Sequence, residues 1–190
     1  MSKTPDYPEH VKLWSDHNVP KGRSRRFLVE KESDLDALEL LPFAAAFAEG
    51  VCGVMLSHIL YTRLDHKWPA SLSPRIARDL LRKRLGFNGI VMTDDLEMGA
   101  IKAICPVGEA AILATQAGHD LLLVCHTRKA QREVFDKLVE AYKSKQLPLK
   151  ELEESAARIN RCNRSQSSRC LRMASRFPVA GSRRATTRSR

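Results

Sequence analysis

The chain has 190 residues, 43% of them apolar, which is enough for one domain with a sizeable core. No apolar run approaches the ~20 residues that span a bilayer, and Met1 to Pro8 lacks the apolar core of a signal peptide, so a cytoplasmic location without a membrane partner is expected. The net charge of +10 invites a nucleic-acid reading, yet eight arginines and no acidic residue fall between Asn163 and Arg190, leaving +2 for residues 1–162.

Residues 1–34 are polar and irregular, with Pro5, Pro8, Pro20 and a basic run from Lys21 to Arg26. Patterning begins at Leu35. Leu35 to Glu49 has helical composition, ends at Gly50 and leads into an apolar strand from Val51 to Ile59. Ser73 to Leu85 reads as a helix that stops at Gly86 and precedes a strand from Asn88 to Thr93. Ser73 caps free amides and Pro74 fits the first helical position. Pro106 to Ala117 is a third helix, closed by Gly118, before a strand from Asp120 to Cys125. An amphipathic helix from Thr127 to Lys145 ends before Pro148.

Glycine after each helix supplies the left-handed residue that stops it. Gly50, Gly86 and Gly118 are 36 and 32 residues apart, one β/α unit each. The strands are continuous apolar runs, as in parallel sheets covered on both faces. The expected fold is therefore α/β, open or closed into a barrel. Three regions follow: an irregular segment over 1–34, a patterned body over 35–160, and an Arg/Ser-rich tail over 161–190 whose composition points to disorder.

Five cysteines, Cys52, Cys105, Cys125, Cys162 and Cys170, include no C-x-x-C pair. Neither a disulfide framework nor a zinc site is expected from that spacing, and no cofactor is implied. The tail holds a single aromatic, Phe177, too little for base stacking. No specific nucleic-acid partner is expected.

In parallel α/β folds, functional groups collect at the carboxyl ends of strands. The three strand ends carry Ser57-His58, Thr93-Asp94-Asp95 and Cys125-His126. Side chains alternate along a strand. Ile90, Met92 and Asp94 therefore share one face, and Val91, Thr93 and Asp95 the other. Spacing does not choose which aspartate faces a site and which the helices.

The stretch Gly89-Ile-Val-Met-Thr-Asp-Asp-Leu-Glu-Met98 resembles the nucleophile strand of family 3 glycoside hydrolases, in particular single-domain bacterial β-N-acetylhexosaminidases. Leu41-Pro-Phe43, Gly53-Val-Met-Leu-Ser-His-Ile59, Asp65, Trp68-Pro-Ala-Ser-Leu-Ser73 and Leu81-Arg-Lys-Arg-Leu-Gly-Phe87 occur in the family's order. Ala117-Gly-His-Asp-Leu-Leu-Leu123 matches its last barrel strand. The resemblance implies an incomplete (β/α)8 TIM-type barrel, with about three parallel strands and four helices. It implies Asp94 as the catalytic nucleophile of a retaining hydrolase, a small carbohydrate substrate, and cell-wall-derived amino sugars as its source. It also implies His58 as a substrate-binding residue. Met98 matches a position near the family's pocket, and His126 stands at the rim without an assigned role.

Two departures stand beside the match. The family branch carries a Lys-His-Phe-Pro-Gly-His-Gly stretch followed by an acid/base His with an Asp two residues before it. Residues 7–20 echo that in part, with His17 as the acid/base candidate, Ser15 where the Asp belongs, and Asp16 adjacent instead. The earlier strands of an eight-stranded barrel also have no counterpart. The alternative reading is a truncated, catalytically inactive fragment of the family.

Overall fold

Three helix–glycine–strand units set the architecture, and all three are present in the computed structural model, which describes residues 26–27 and 40–176. The irregular segment, His17, the first turn of the helix expected from Leu35, and residues 177–190 lie outside the described residues. The elements are β1 (Arg26–Phe27), α1 (Leu41–Ala48), β2 (Gly53–Leu56), β3 (Leu60–Tyr61), α2 (Arg75–Arg84), β4 (Ile90–Asp95), α3 (Gly99–Lys102), α4 (Val107–Ala117), β5 (Leu121–Leu123), α5 (Arg128–Lys143) and α6 (Leu149–Arg176).

The three expected strands form one parallel sheet with β4 in the middle, between β2 and β5. Gly53 stands opposite Ile90, and Leu56 opposite Thr93. A short parallel pair, β1 with β3, lies outside that sheet. Gly50, Gly86 and Gly118 take φ values of 77°, 64° and 101°, so each expected helix stop is the left-handed residue. Ser73 Oγ accepts the Ile76 amide at 3.2 Å, which starts α2 as its Ser-Pro signal indicates. That helix is wound with π spacing, as in the bond from the Leu85 amide to the Leu80 carbonyl.

Strand ends differ from expectation where backbone partners change. The first strand stops at Leu56 rather than Ile59 because the Ser57 and Ile59 carbonyls turn to the Ser71 and Ala70 amides, at 3.0 and 2.8 Å. The second runs on to Asp95 rather than Thr93, and the Leu96 amide still reaches the Leu123 carbonyl at 2.9 Å. Both aspartates are therefore strand residues.

The core divides around the sheet. Leu56, Ile76, Ala77, Leu80, Leu81, Phe87 and Val91 form one cluster. Leu72, Leu96, Ile101, Ala110, Ala111, Ala114 and Val134 form the other, under α4 and α5. The alanine face of α4 is fully buried and lets α5 lie close against it. Each large aliphatic side chain buried this way stabilises the fold by about 1.5–3 kcal/mol.

The expected disordered tail from residue 161 is corrected in part, because α6 continues to Arg176. Residues 149–176 contain no proline or glycine and are rich in Arg, with Leu, Ala and Glu beside it, so nothing in them breaks a helix before Pro178. The arginine- and serine-rich composition from residue 161 onward reads as a tail rather than a helix. No described helix is long and apolar enough to cross a membrane.

Candidate active site

The carboxyl ends of β2, β4 and β5 bring the three polar strand ends together. The alternation left open in the sequence is resolved by burial. Val91 and Thr93 are completely covered and Asp95 is buried, so that face of β4 lies under the helices. Met92 and Asp94 are only partly covered on the opposite face. Asp94 is thus the aspartate presented to the open side of the sheet.

Asp94 Oδ1 accepts the Asp95 amide at 2.8 Å, its one hydrogen bond among the described residues. Ser57 follows the Leu56–Thr93 pair at which the β2 register ends, and its carbonyl has turned to the Ser71 amide. Its hydroxyl is buried with no hydrogen-bond partner. Such a group is costly unless something supplies a partner. The sequence named Ser57 only as part of a strand end.

His58 points away from this face. Its Nε2 donates to the Asp95 carbonyl at 2.8 Å, and its Nδ1 lies 2.7 Å from Ser71 Oγ. Because a carbonyl only accepts, Nε2 carries the proton, and Nδ1 of the neutral ring accepts from the Ser71 hydroxyl. Burial lowers the His58 pKa, while the Asp95 carbonyl and the charges of Asp94 and Asp95 pull it back. Both ring nitrogens are thus engaged by protein groups, and the ring fixes the backbone next to Asp94.

Behind the strand, Asp95 and Glu97 organise the turn that follows β5. Asp95 Oδ1 accepts the Glu97 and Cys125 amides, both at 3.1 Å. Glu97 Oε2 accepts the His126 and Thr127 amides at 2.7 and 2.9 Å, and Oε1 accepts Thr127 Oγ1 at 2.8 Å. The Thr127 amide leads the hydrogen bonds that hold the Glu97 carboxyl below its usual range. Asp65 is likewise held low: burial opposes ionisation, but Ser73 Oγ and the Lys67 and Trp68 amides outweigh it. Met98 is exposed at 42%, at the edge of the rim. His126 is exposed, with Nδ1 at 2.6 Å from Asp95 Oδ2.

The opposite end of the sheet holds a buried charge cluster. Asp120, with no side-chain exposure, accepts Ser155 Oγ at 2.8 Å, Arg158 Nε at 2.9 Å, the Val91 amide at 2.9 Å, and Arg82 Nη2. A cleft of about 640 Å³ opens nearby, between α2, α4, α5 and α6. It lies away from Asp94 and takes no part in the site.

The parallel strands alternating with helices, and acidic groups at their carboxyl ends, define part of a TIM-type α/β barrel. The description "Glycosyl hydrolase family 3 N terminal domain" matches residues 16–162. Over 132 residues the chain is 34% identical to a beta-hexosaminidase of Methylococcus capsulatus, covering 70% of this chain and 38% of that protein. Over 127 residues it is 35% identical to an uncharacterized secreted glycosyl hydrolase of Arthroderma benhamiae, covering 66% and 36%. The solved glycoside hydrolase family 3 beta-N-acetylglucosaminidase of Paenibacillus sp. str. FPU-7 superposes with a TM-score of 0.74 at 36% identity, covering 76% of this chain and 28% of that one. The chain belongs to glycosyl hydrolase family 3. It spans less than four-tenths of the length of these relatives.

Proposed function

We propose that this chain carries the nucleophile side of a retaining exo-β-N-acetylhexosaminidase active site, with Asp94 as the nucleophile. The observation that supports it is the placement of Asp94. Its carboxylate ends the central strand on the sheet face the helices leave open, in the stretch that resembles the family's nucleophile strand.

The chemistry follows from that placement. A carboxylate below a sugar ring attacks the anomeric carbon and forms a glycosyl ester as the leaving oxygen is protonated. Water then attacks the same carbon and releases the sugar with its configuration retained. His58 is assigned a positioning role through the Asp95 carbonyl. The proton donor is assigned to a loop before β2, where the family branch places its acid/base His. The substrate class is N-acetyl-β-hexosaminides, with cell-wall amino sugars as their source and the cytoplasm as the compartment.

A second reading, a segment that does not turn over substrate by itself, is favoured by the sheet. Three parallel strands are paired in it among the described residues, against eight in a closed barrel. Hydrolysis of a chromogenic N-acetyl-β-glucosaminide separates the two. Under the first reading the chain releases the chromophore and Asp94→Asn lowers kcat by about 10³-fold or more, a loss of about 4 kcal/mol of barrier reduction. Unchanged turnover in Asp94→Asn would remove the nucleophile assignment. No turnover by the unsubstituted chain would select the second reading.

A further inference from the structure

We infer that Asp95, Glu97 and His126 form a divalent-cation site of the zinc class, behind the strand end that carries Asp94. One ligand atom from each of the three side chains lies within 4.8 Å of the other two. The donors come from the end of β4, the turn after it, and the turn after β5, so a bound ion would bridge two neighbouring strand ends.

Two features set this trio apart from an ordinary acidic surface. The first is burial. Asp95 and Glu97 are each only 7% exposed. Buried carboxylates in proteins are paired with a cation or coordinate a metal. Among the described residues no lysine or arginine makes an ion pair with Asp94, Asp95 or Glu97. Lys102 reaches Glu97 only through its field. The second is a buried oxygen whose one contact is the imidazole. Asp95 Oδ2 accepts no amide or hydroxyl and meets His126 Nδ1 at 2.6 Å, in a contact without hydrogen-bond alignment.

The donor set decides the ion. One imidazole and two carboxylates suit zinc and its neighbours rather than magnesium or calcium, which select oxygen alone. Asp95 Oδ1 is committed to two amides and Glu97 Oε2 to two more. That leaves Asp95 Oδ2 and Glu97 Oε1, which holds a single hydroxyl donor, as the free ligand atoms. The amide bonds supply the outer support that orients metal-binding carboxylates. Metal bonds of about 2.0–2.2 Å set donors about 3–3.5 Å apart, so on binding His126 Nδ1 draws back from Asp95 Oδ2, 2.6 Å away, while the wider separations within the trio, up to 4.8 Å, close. The movement falls to His126, whose side chain is 69% exposed.

The test uses the full chain, stripped of metal and titrated with Co2+, then Zn2+, at neutral pH. We expect one equivalent of Co2+ to give visible ligand-field bands, which Zn2+ displaces. His126→Ala should weaken binding by about tenfold or more, and its exposed position leaves the fold intact. Glu97→Gln, checked for folding by its melting transition, should weaken binding similarly. Unaltered affinity in His126→Ala would place the ion elsewhere, on cysteines for example, and overturn the site. Absence of binding by the unsubstituted chain at millimolar metal would overturn it as well. The readout is binding alone, so it stands or falls independently of hydrolysis.

Discussion

The two ends of the sheet treat buried carboxylates in opposite ways. At the amino end, Asp120 is enclosed by Arg82 and Arg158, a serine hydroxyl and a backbone amide, and its charge is fully answered by the protein. At the carboxyl end, Asp94, Asp95 and Glu97 crowd together without an arginine or lysine partner among the described residues. The first arrangement ties α2, β4, β5 and α6 into one unit. The second maintains a negative field where chemistry or a cation can use it. That field is felt at Cys125, whose thiol is pushed up by desolvation and then by Asp95, Asp94 and Glu97. Stability and reactivity are thus placed at opposite ends of the same strands, as barrel folds generally do.

The sharpest way to break this contrast is to neutralise one carboxylate at each end. Asp120→Asn leaves two guanidiniums facing a neutral amide, and we expect a loss of about 3–5 kcal/mol, read by denaturant unfolding. Glu97→Gln should cost clearly less, because no cation loses its partner there. Equal losses would show that the carboxyl end is also built for stability.

Acid should act next most strongly, and through histidine. Burial lowers the His119 pKa to about 4, against the donating bond to the Ala114 carbonyl and the pull of Asp120. A histidine depressed in the folded state binds its proton more readily when unfolded. Its contribution is therefore complete above about pH 6.5 and is lost as pH falls toward 4. The loss reaches at most about 3 kcal/mol, and His58 adds to it in the same direction. His119→Gln should flatten the stability profile over that window, whereas a profile as steep as the parent's would assign the acid sensitivity elsewhere.

His58→Ala leaves the Asp95 carbonyl and Ser71 hydroxyl without their ring partner, for an expected loss of about 1–3 kcal/mol in chemical denaturation. Through the Asp95 carbonyl it should also lower kcat more than it raises KM, where turnover is measurable. The smallest effect is expected at Arg78. Its 2.6 Å pair with Glu151 is about one-third exposed on both sides, and Arg78→Met should shift stability by less than about 1 kcal/mol. A larger shift would mean that this pair, rather than Asp120, anchors α6.

Much of this was legible in the chain itself. Each of the three helix stops and each apolar strand announced itself through composition, and the strand carrying Asp94 stood out by resemblance. Other features depend on contacts between distant residues. Which face of β4 is covered depends on distant segments, among them α2, whose Ile76, Ala77, Leu80 and Leu81 share a core cluster with Val91, and about these the strand's own residues say nothing. The ring of His58 is claimed by Ser71 and by the Asp95 backbone, partners 13 and 37 positions away. Asp120 appeared only as the first residue of an apolar strand, yet its partners come from α2 and α6. The second half of α6 escaped notice because its sequence is rich in arginine and serine, a composition that reads as a disordered tail.

Gly89, just before β4, has a consequence for how this sequence can vary. A β-carbon there would meet the Phe87 ring at 2.5 Å and the Cys52 carbonyl oxygen at 2.6 Å. That carbonyl is also the acceptor of the Ile90 amide, the bond with which β2 and β4 begin to pair. In a library carrying every substitution at every position, Gly89 should therefore stand out as a site that accepts no replacement, five positions from the carboxylate whose register it protects.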